Sequence, residues 1–280
     1  MTWKKSAGRG FAINNPYASL IERIHQTWPC FDFDPSEIHS ALTPGWDYQV
    51  VFFGEWVLRM GRTRAANTRL QYEMSKLETL SVALPIPHYE ERCPWGGLYR
   101  KIPGDPVTCT ALKEPAVQAA LHNFVNSLHD PKNLPTPYRM GHAKARWRRR
   151  YQILEGQIQE SVLSLLTTKQ QRRAQDHFRD FFSQLSMGSW EPALLHGDLS
   201  CDHILVDAGK ISGIIDFGDL MVGDPAFDWS GWESGSAPDR YRDRIRFYRW
   251  VAPTYQIRFL LEHGTVEEVE RLVKEWIAGW

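Results

Sequence analysis

Apolar residues recur at helical spacing through PYASLIERIHQTW (16–28), and Pro16 suits a helix start. After Gly45 the pattern shortens to strand-like runs. YQVVFF (48–53) and WVLRM (56–60) are joined by Gly54-Glu55, a predicted tight hairpin. Residues 65–81 return to helical spacing, with Leu70, Met74, Leu77 and Leu80 on one side. LPIPHYEE (84–91) then imposes extended chain, because proline disfavours helix at the residue before it. GGLYRKIPGDPV (96–107) reads as a strand running into a turn-rich connector. Beyond it come long amphipathic stretches within 109–130, 143–166 and 168–187, then short strands near 193–195, 203–206 and 210–215. Two or three further helices follow, including 253–262 and 265–278. Strands and helices are segregated, which predicts an α+β fold in two lobes. Residues 1–102 would form a small sheet with one pairing helix and residues 103–280 a mostly helical lobe, with the boundary near Ile102 to Asp105. Ligands commonly bind between such lobes.

Composition narrows the function classes. The 280 residues are 42% apolar and 24% charged, and 33 basic side chains balance 33 acidic ones. That balance gives no basic field for nucleic acid or a membrane surface, so neither is expected as a partner. The four cysteines, Cys30, Cys93, Cys109 and Cys201, have no metal-type spacing and read as free thiols of a reducing compartment. The stretch MTWKKSAGRGFAINNP lacks the apolar run of a secretory signal, and no window approaches the ~18 apolar residues of a membrane span. A soluble cytoplasmic protein is expected, as a monomer or weak dimer.

The densest chemistry lies in HGDLSCDHILVDAGKISGIIDFGD (196–219). Asp198 follows the apolar run ALL and should occupy a loop at a strand end. His203 comes five residues later and Asp216 eighteen later, across a hairpin turning at Gly209, so all three should reach one edge. Zinc hydrolysis would need more His or Cys ligands. Serine hydrolysis would need a G-x-S-x-G elbow, and none occurs. Hard magnesium takes a few oxygen ligands plus phosphates. Two such carboxylates without a Walker loop fit phosphoryl transfer of the kinase type.

H-G-D-L-S-x-x-H-I-L-V-D, followed by I-I-D-F-G-D and G-D-P-A-F-D, resembles the aminoglycoside phosphotransferase family, whose members share the protein-kinase fold. WVLRM resembles its nucleotide-lysine strand, ALPIPHY the strand after it, KIPGDPV its post-hinge turn and SLHD the end of its first C-lobe helix. The resemblance implies Asp198 as catalytic base, Asp216 as the ligand of Mg2+ on the nucleotide, and His196 as support of the loop. It also implies Asp224 as a helix cap and Asp228 as a structural partner of the catalytic loop. His203 stands where most members have a metal-binding Asn and is similar to the macrolide 2′- and 2″-aminoglycoside enzymes. Arg59 replaces the usual lysine, and Glu73 is its candidate ion-pair partner; Arg62 or Arg64 are alternatives. Arg can grip phosphate bidentately. The purine of ATP or GTP would lie against Leu98, Tyr99, Arg100 and Lys101. Only Gly45 in LTPGWDYQVVFF stands in for a phosphate loop.

The expected acceptor is a hydroxyl of a small molecule, an aminoglycoside or macrolide antibiotic by resemblance. A metabolic kinase of the choline or homoserine kind and a non-catalytic nucleotide-binding module are the alternatives. An aminoglycoside site calls for an acidic wall. Asp239, Asp243, Glu262, Glu267, Glu268 and Glu270 are available for one, interleaved with Arg240, Arg242, Arg244, Arg246, Arg249 and Arg258. A macrolide site calls for an apolar trough. Trp229, Trp232, Phe247, Tyr248, Trp250 and Tyr255 would serve as such a trough or as core.

Overall fold

The computed structural model describes residues 16–40, 47–135, 139–187, 190–232 and 237–280. The MTWKKSAGRG stretch and the turn around Gly45 lie outside the described residues. The chain divides into two compact units. Unit 1 takes Met1–Ser75 and Pro87–Lys101, and unit 2 takes Lys76–Ile86 and Ile102–Trp280.

The first unit holds α1 (Ala18–Thr27) and strands β1 (Ile38–Ser40), β2 (Tyr48–Phe53) and β3 (Trp56–Gly61). Then come α2 (Arg64–Leu77), β4 (Tyr89–Cys93) and β5 (Gly96–Arg100). The strands form one antiparallel sheet in the order β1-β2-β3-β5-β4. Alternation sends Val51, Phe53, Leu58, Met60 and Leu98 to one face, where they pack with Ile24 of α1 and with Trp28 just after it. The opposite face carries Tyr48, Arg59 and Gly97, and α2 meets it through Met74 and Glu73. Covered on both sides, β3 is buried from Val57 to Met60, which explains why WVLRM lacks a polar alternation.

The second unit continues with β6 (Asp105–Pro106), α3 (Pro115–Leu128), α4 (Met140–Ser161), α5 (Thr168–Met187), β7 (Ala193–Leu195), β8 (Ile204–Asp207), β9 (Lys210–Ile214) and β10 (Met221–Gly223). It ends with α6 (Ala226–Ser230), α7 (Arg242–Val251), α8 (Pro253–His263) and α9 (Val266–Ala278). β8 and β9 form the expected hairpin, β6 adds to its edge, and β7 pairs with β10. The segment 76–86, assigned by pattern to the first lobe, groups with this unit. Ala83 N–H donates to Ser127 Oγ (2.9 Å) and Ile214 N–H to Pro85 O (2.9 Å).

The α-helical core of unit 2 is aromatic. Tyr151, Phe178, Phe181, Phe247 and Tyr248 are buried, and Phe181 stacks on Phe247 at 3.7 Å. Trp229, Trp232 and Trp250 are also buried, and of the six aromatic residues proposed as trough or core only Tyr255 is exposed. Five of the six are therefore core. Of the acidic residues available for a wall, Asp239 pairs with Arg242, Asp243 with Arg246 and Glu270 with Lys274.

The β8–β9 turn places Ala208 at φ +48° and Gly209 at φ +76°. Two consecutive positive φ values define a turn that favours Asn-Gly, and the Cβ of an alanine there is sterically costly. Ala208→Asn is expected to stabilise the protein by ~1 kcal/mol, read as a raised urea midpoint at unchanged m-value.

Candidate active site

The loop after β7 is built around one buried carboxylate. Asp228 of α6 is 1% exposed and accepts from His196 N–H (2.9 Å), Gly197 N–H (3.0 Å) and the His129 ring (2.9 Å). These donors hold its carboxyl below the ordinary range, against the opposing effect of burial. Gly197 has φ +87°, and a Cβ there would lie 2.2 Å from Asp219 O. Only glycine lets the HGD turn cross the DFGD segment so closely.

His196 is fully buried. Its Nε2 lies 3.0 Å from Ile215 O, and a carbonyl can only accept, so Nε2 carries the proton. Nδ1 then accepts the Asp198 N–H at 3.3 Å. Burial drives the imidazole pKa down to about 4. The unfolded ring binds a proton below its ordinary value, while the folded ring resists until about 4. Stability is therefore full above that ordinary value and is lost as the pH falls toward 4, by ~3 kcal/mol in total. Urea titrations across this window should show the loss, and His196→Gln should flatten this part of the slope.

Asp198 extends from this frame with 54% of its side chain exposed. Partial burial raises its carboxyl above the ordinary value. Asp216, Asp202 and Asp228 push the same way, and the His203 ring opposes them. His203 Nδ1 lies 2.7 Å from Asp198 O and therefore donates to it, so in the neutral ring Nε2 presents its lone pair. That nitrogen is 3.6 Å from Asp216 Oδ2, and His203 Nδ1 is 3.5 Å from Asp198 Oδ2. Ile215 N–H donates to His203 O (2.9 Å), which holds the end of β9 against the loop. Asp198, His203 and Asp216 are thus brought to one edge. Asp216 takes φ +62°, the left-handed region that non-glycine residues seldom adopt. Such backbone strain persists where the surroundings fix a side chain for use.

Asp224 is fully buried. It accepts from Ala226 N–H (3.1 Å) at the start of α6, and also from Arg244 Nε (2.6 Å) and Tyr248 OH (2.7 Å). The capping expected of it is one part of a network that also ties α7 in place.

In the first unit, Arg59 Nη1 bonds Glu73 Oε1 at 2.8 Å, with both side chains at most 4% exposed. Arg62 is placed elsewhere, with Nε toward Tyr48 O (3.3 Å). Leu98 and Tyr99 lie inside the sheet, flanked by β3 and β4. Lys101 N–H already donates to Glu55 O (2.7 Å), and the Arg100 guanidinium pairs with Glu55 and Glu90. The main chain of this strand is thus largely committed up to Arg100.

A sequence profile described as the phosphotransferase enzyme family matches residues 39–255. The chain belongs to this family. Among solved structures, the phosphotransferase is similar to the GDP complex of wild-type aminoglycoside 2′-phosphotransferase-IIIa. The identity is 20% over 94% of this chain and 99% of that one, with a TM-score of 0.76. It is also similar to ADP-bound aminoglycoside phosphotransferase APH(2″)-Ib (18% identity, 94% and 97% covered, TM-score 0.65). A third is the apoenzyme of macrolide 2′-phosphotransferase MphH from Brachybacterium faecium (18% identity, 91% and 95% covered, TM-score 0.66). The comparison with curated proteins finds no match. The α+β, protein-kinase-like fold of the phosphotransferase is the one the HGD and DFGD blocks imply. Among the described residues no helix is long and apolar enough to cross a membrane.

Pattern reading passed over two side chains that shape the sites of this phosphotransferase. His129, in SLHD, holds the carboxylate beneath the loop. Tyr89, in IPHYEE, donates to Glu73 Oε1 at 3.1 Å. Both lie in stretches that carry the resemblance, SLHD and ALPIPHY, but their roles depend on partners 99 and 16 residues away, Asp228 and Glu73.

Proposed function

We propose that this phosphotransferase moves the γ-phosphoryl group of ATP or GTP, with Mg2+, to a hydroxyl of a small molecule of the aminoglycoside or macrolide class. The observation that carries this reading is the convergence of Asp198, His203 and Asp216 on one edge.

Asp198 is the proposed base. Its exposed carboxylate orients the acceptor hydroxyl and takes its proton as the oxygen attacks phosphorus. The buried frame beneath it, Asp228 with the His196 and Gly197 amides, fixes where that carboxylate points. Asp216 supplies a hard oxygen ligand suited to magnesium, and His203 Nε2 is suited to accept from a metal-bound water or to ligate directly. Among the described residues no group of three or more His, Cys, Asp or Glu side chains is arranged to hold a metal. When bound, magnesium neutralises charge on the transferring phosphates. In the first unit, Arg59 is the proposed phosphate contact. The nucleobase contact falls to the C-terminal end of β5, from Arg100 onward. The proposed lobes keep the boundary near Ile102.

The acceptor class rests on likeness to solved structures named as aminoglycoside and macrolide phosphotransferases. The test is incubation of the protein with Mg2+ and ATP or GTP against a panel of aminoglycosides, macrolides and metabolic alcohols, read by mass spectrometry. An antibiotic made heavier by one phosphate is the expected result. Phosphorylation of a metabolic alcohol alone would overturn the acceptor assignment.

A further inference from the structure

The cation assigned to the phosphates is held by an aromatic ring as well as by a carboxylate. In the β3–β5 ladder Arg59 stands opposite Gly97, and in the β2–β3 ladder it stands opposite Val50, two residues from Tyr48 on the same face. The Tyr48 ring lies 4.1 Å from the Arg59 guanidinium carbon. This is a cation–π contact between cross-strand diagonal neighbours, with the guanidinium over the ring. The guanidinium edge meets Glu73 Oε1 at 2.8 Å, and the Tyr89 hydroxyl donates to that same oxygen at 3.1 Å. The place of Tyr89 is set in turn by Gly97. A Cβ there would lie 2.6 Å from Tyr89 Cδ1 and 2.5 Å from Met74 Sδ. The Tyr99 ring meets Tyr89 edge-on at 5.1 Å. Tyr48, Arg59, Glu73 and Tyr89 are all less than 10% exposed.

An ammonium group is a point charge with rotating donors, whereas a guanidinium has a plane and an edge. Tyr48 fixes the plane, and Glu73, oriented by Tyr89, fixes the edge. We infer that Tyr48 and Tyr89 are positioning residues for the phosphate donor: they set the plane and direction of Arg59, and so adapt this sheet to an arginine where a lysine would need no ring beneath it. The inference rests on the assignment of Arg59 to the nucleotide phosphates.

The test measures nucleotide affinity by calorimetry, with Mg2+ and ATP or GTP, alongside thermal unfolding, in the intact chain. Tyr48→Leu removes the ring and is expected to weaken nucleotide binding about tenfold. Tyr48→Phe keeps the ring and should restore wild-type affinity. Tyr89→Phe loses the hydrogen bond to a charged group and should weaken binding by roughly fivefold or more. In an Arg59→Lys background, Tyr48→Leu should have a smaller further effect on affinity, because the planar guanidinium that the ring orients is gone. Equal losses from Tyr48→Leu in the wild-type and the Arg59→Lys backgrounds would overturn the inference. So would a lowered unfolding temperature with unchanged affinity in Tyr48→Leu. If Arg59→Ala itself leaves affinity unchanged, the phosphate assignment fails, and the inference falls with it. Loss on Arg59→Ala with none on Tyr48→Leu or Tyr89→Phe removes only the positioning role.

Discussion

Asp198→Asn is expected to lower kcat by roughly 10²–10⁴-fold, the range that a positioned general base supplies. The substitution keeps the size of the side chain and removes its capacity to take a proton. It should not disturb the loop. The hydrogen bonds that fix residue 198 run through its main chain, from its N–H to His196 and from the His203 ring to its carbonyl. More than half of the carboxyl side chain faces solvent. Nucleotide affinity and urea midpoint should therefore stay near wild type. The wild-type acid limb carries a second signature. A base is lost when protonated, and the Asp198 carboxyl is raised by partial burial and by the neighbouring aspartates. Activity should accordingly fall on acidification at a pH above the ordinary carboxylate range. Near-normal turnover by Asp198→Asn would show that another group takes the proton.

Asp228→Ala is expected to cost ~3–5 kcal/mol of stability, the scale for removing one partner from a buried charged network. The loss has identifiable parts. The His196 and Gly197 amides lose their acceptor in a closed interior, and each unsatisfied amide costs ~1–3 kcal/mol. His129 loses its partner on α3's C-terminal side. The turn that aims Asp198 is released at the same time, so activity should vanish even where the protein still folds. Asp228→Asn keeps one carbonyl acceptor and should fall between wild type and alanine in both respects. Urea titration with hydrogen exchange at the two amides measures this. Wild-type protection of both amides in Asp228→Ala would contradict the account of the loop.

Much of this was legible because the decisive blocks are local. HGD and DFGD flank one hairpin, so their spacing alone brings Asp198, His203 and Asp216 to one edge. Hydrophobic periodicity placed α2, α5, α8 and α9 because each has a single apolar face. It passed over β1, β6 and β10, which have at most three residues each and no pattern of their own. It left segment 76–86 with the first lobe, because its grouping rests on Ser127 and Ile214, far along the chain. The second role of Asp224 was illegible for the same reason: Arg244 and Tyr248 lie 20 and 24 residues away. Tyr48 and Tyr89 look like ordinary strand aromatics until the register sets them beside Arg59 and Glu73.

The most direct test of the central division of labour needs no knowledge of the acceptor. Nucleotide affinity is measured by calorimetry with and without Mg2+ for wild type, Asp216→Asn and Asp198→Asn. The account predicts magnesium-dependent binding by wild type and an equal affinity in Asp198→Asn. In Asp216→Asn it predicts a loss of tenfold or more, corresponding to ~1.4 kcal/mol or above. The same magnesium-dependent affinity in all three proteins would contradict it, since the carboxylate at the end of the hairpin would then hold neither the metal nor the phosphates.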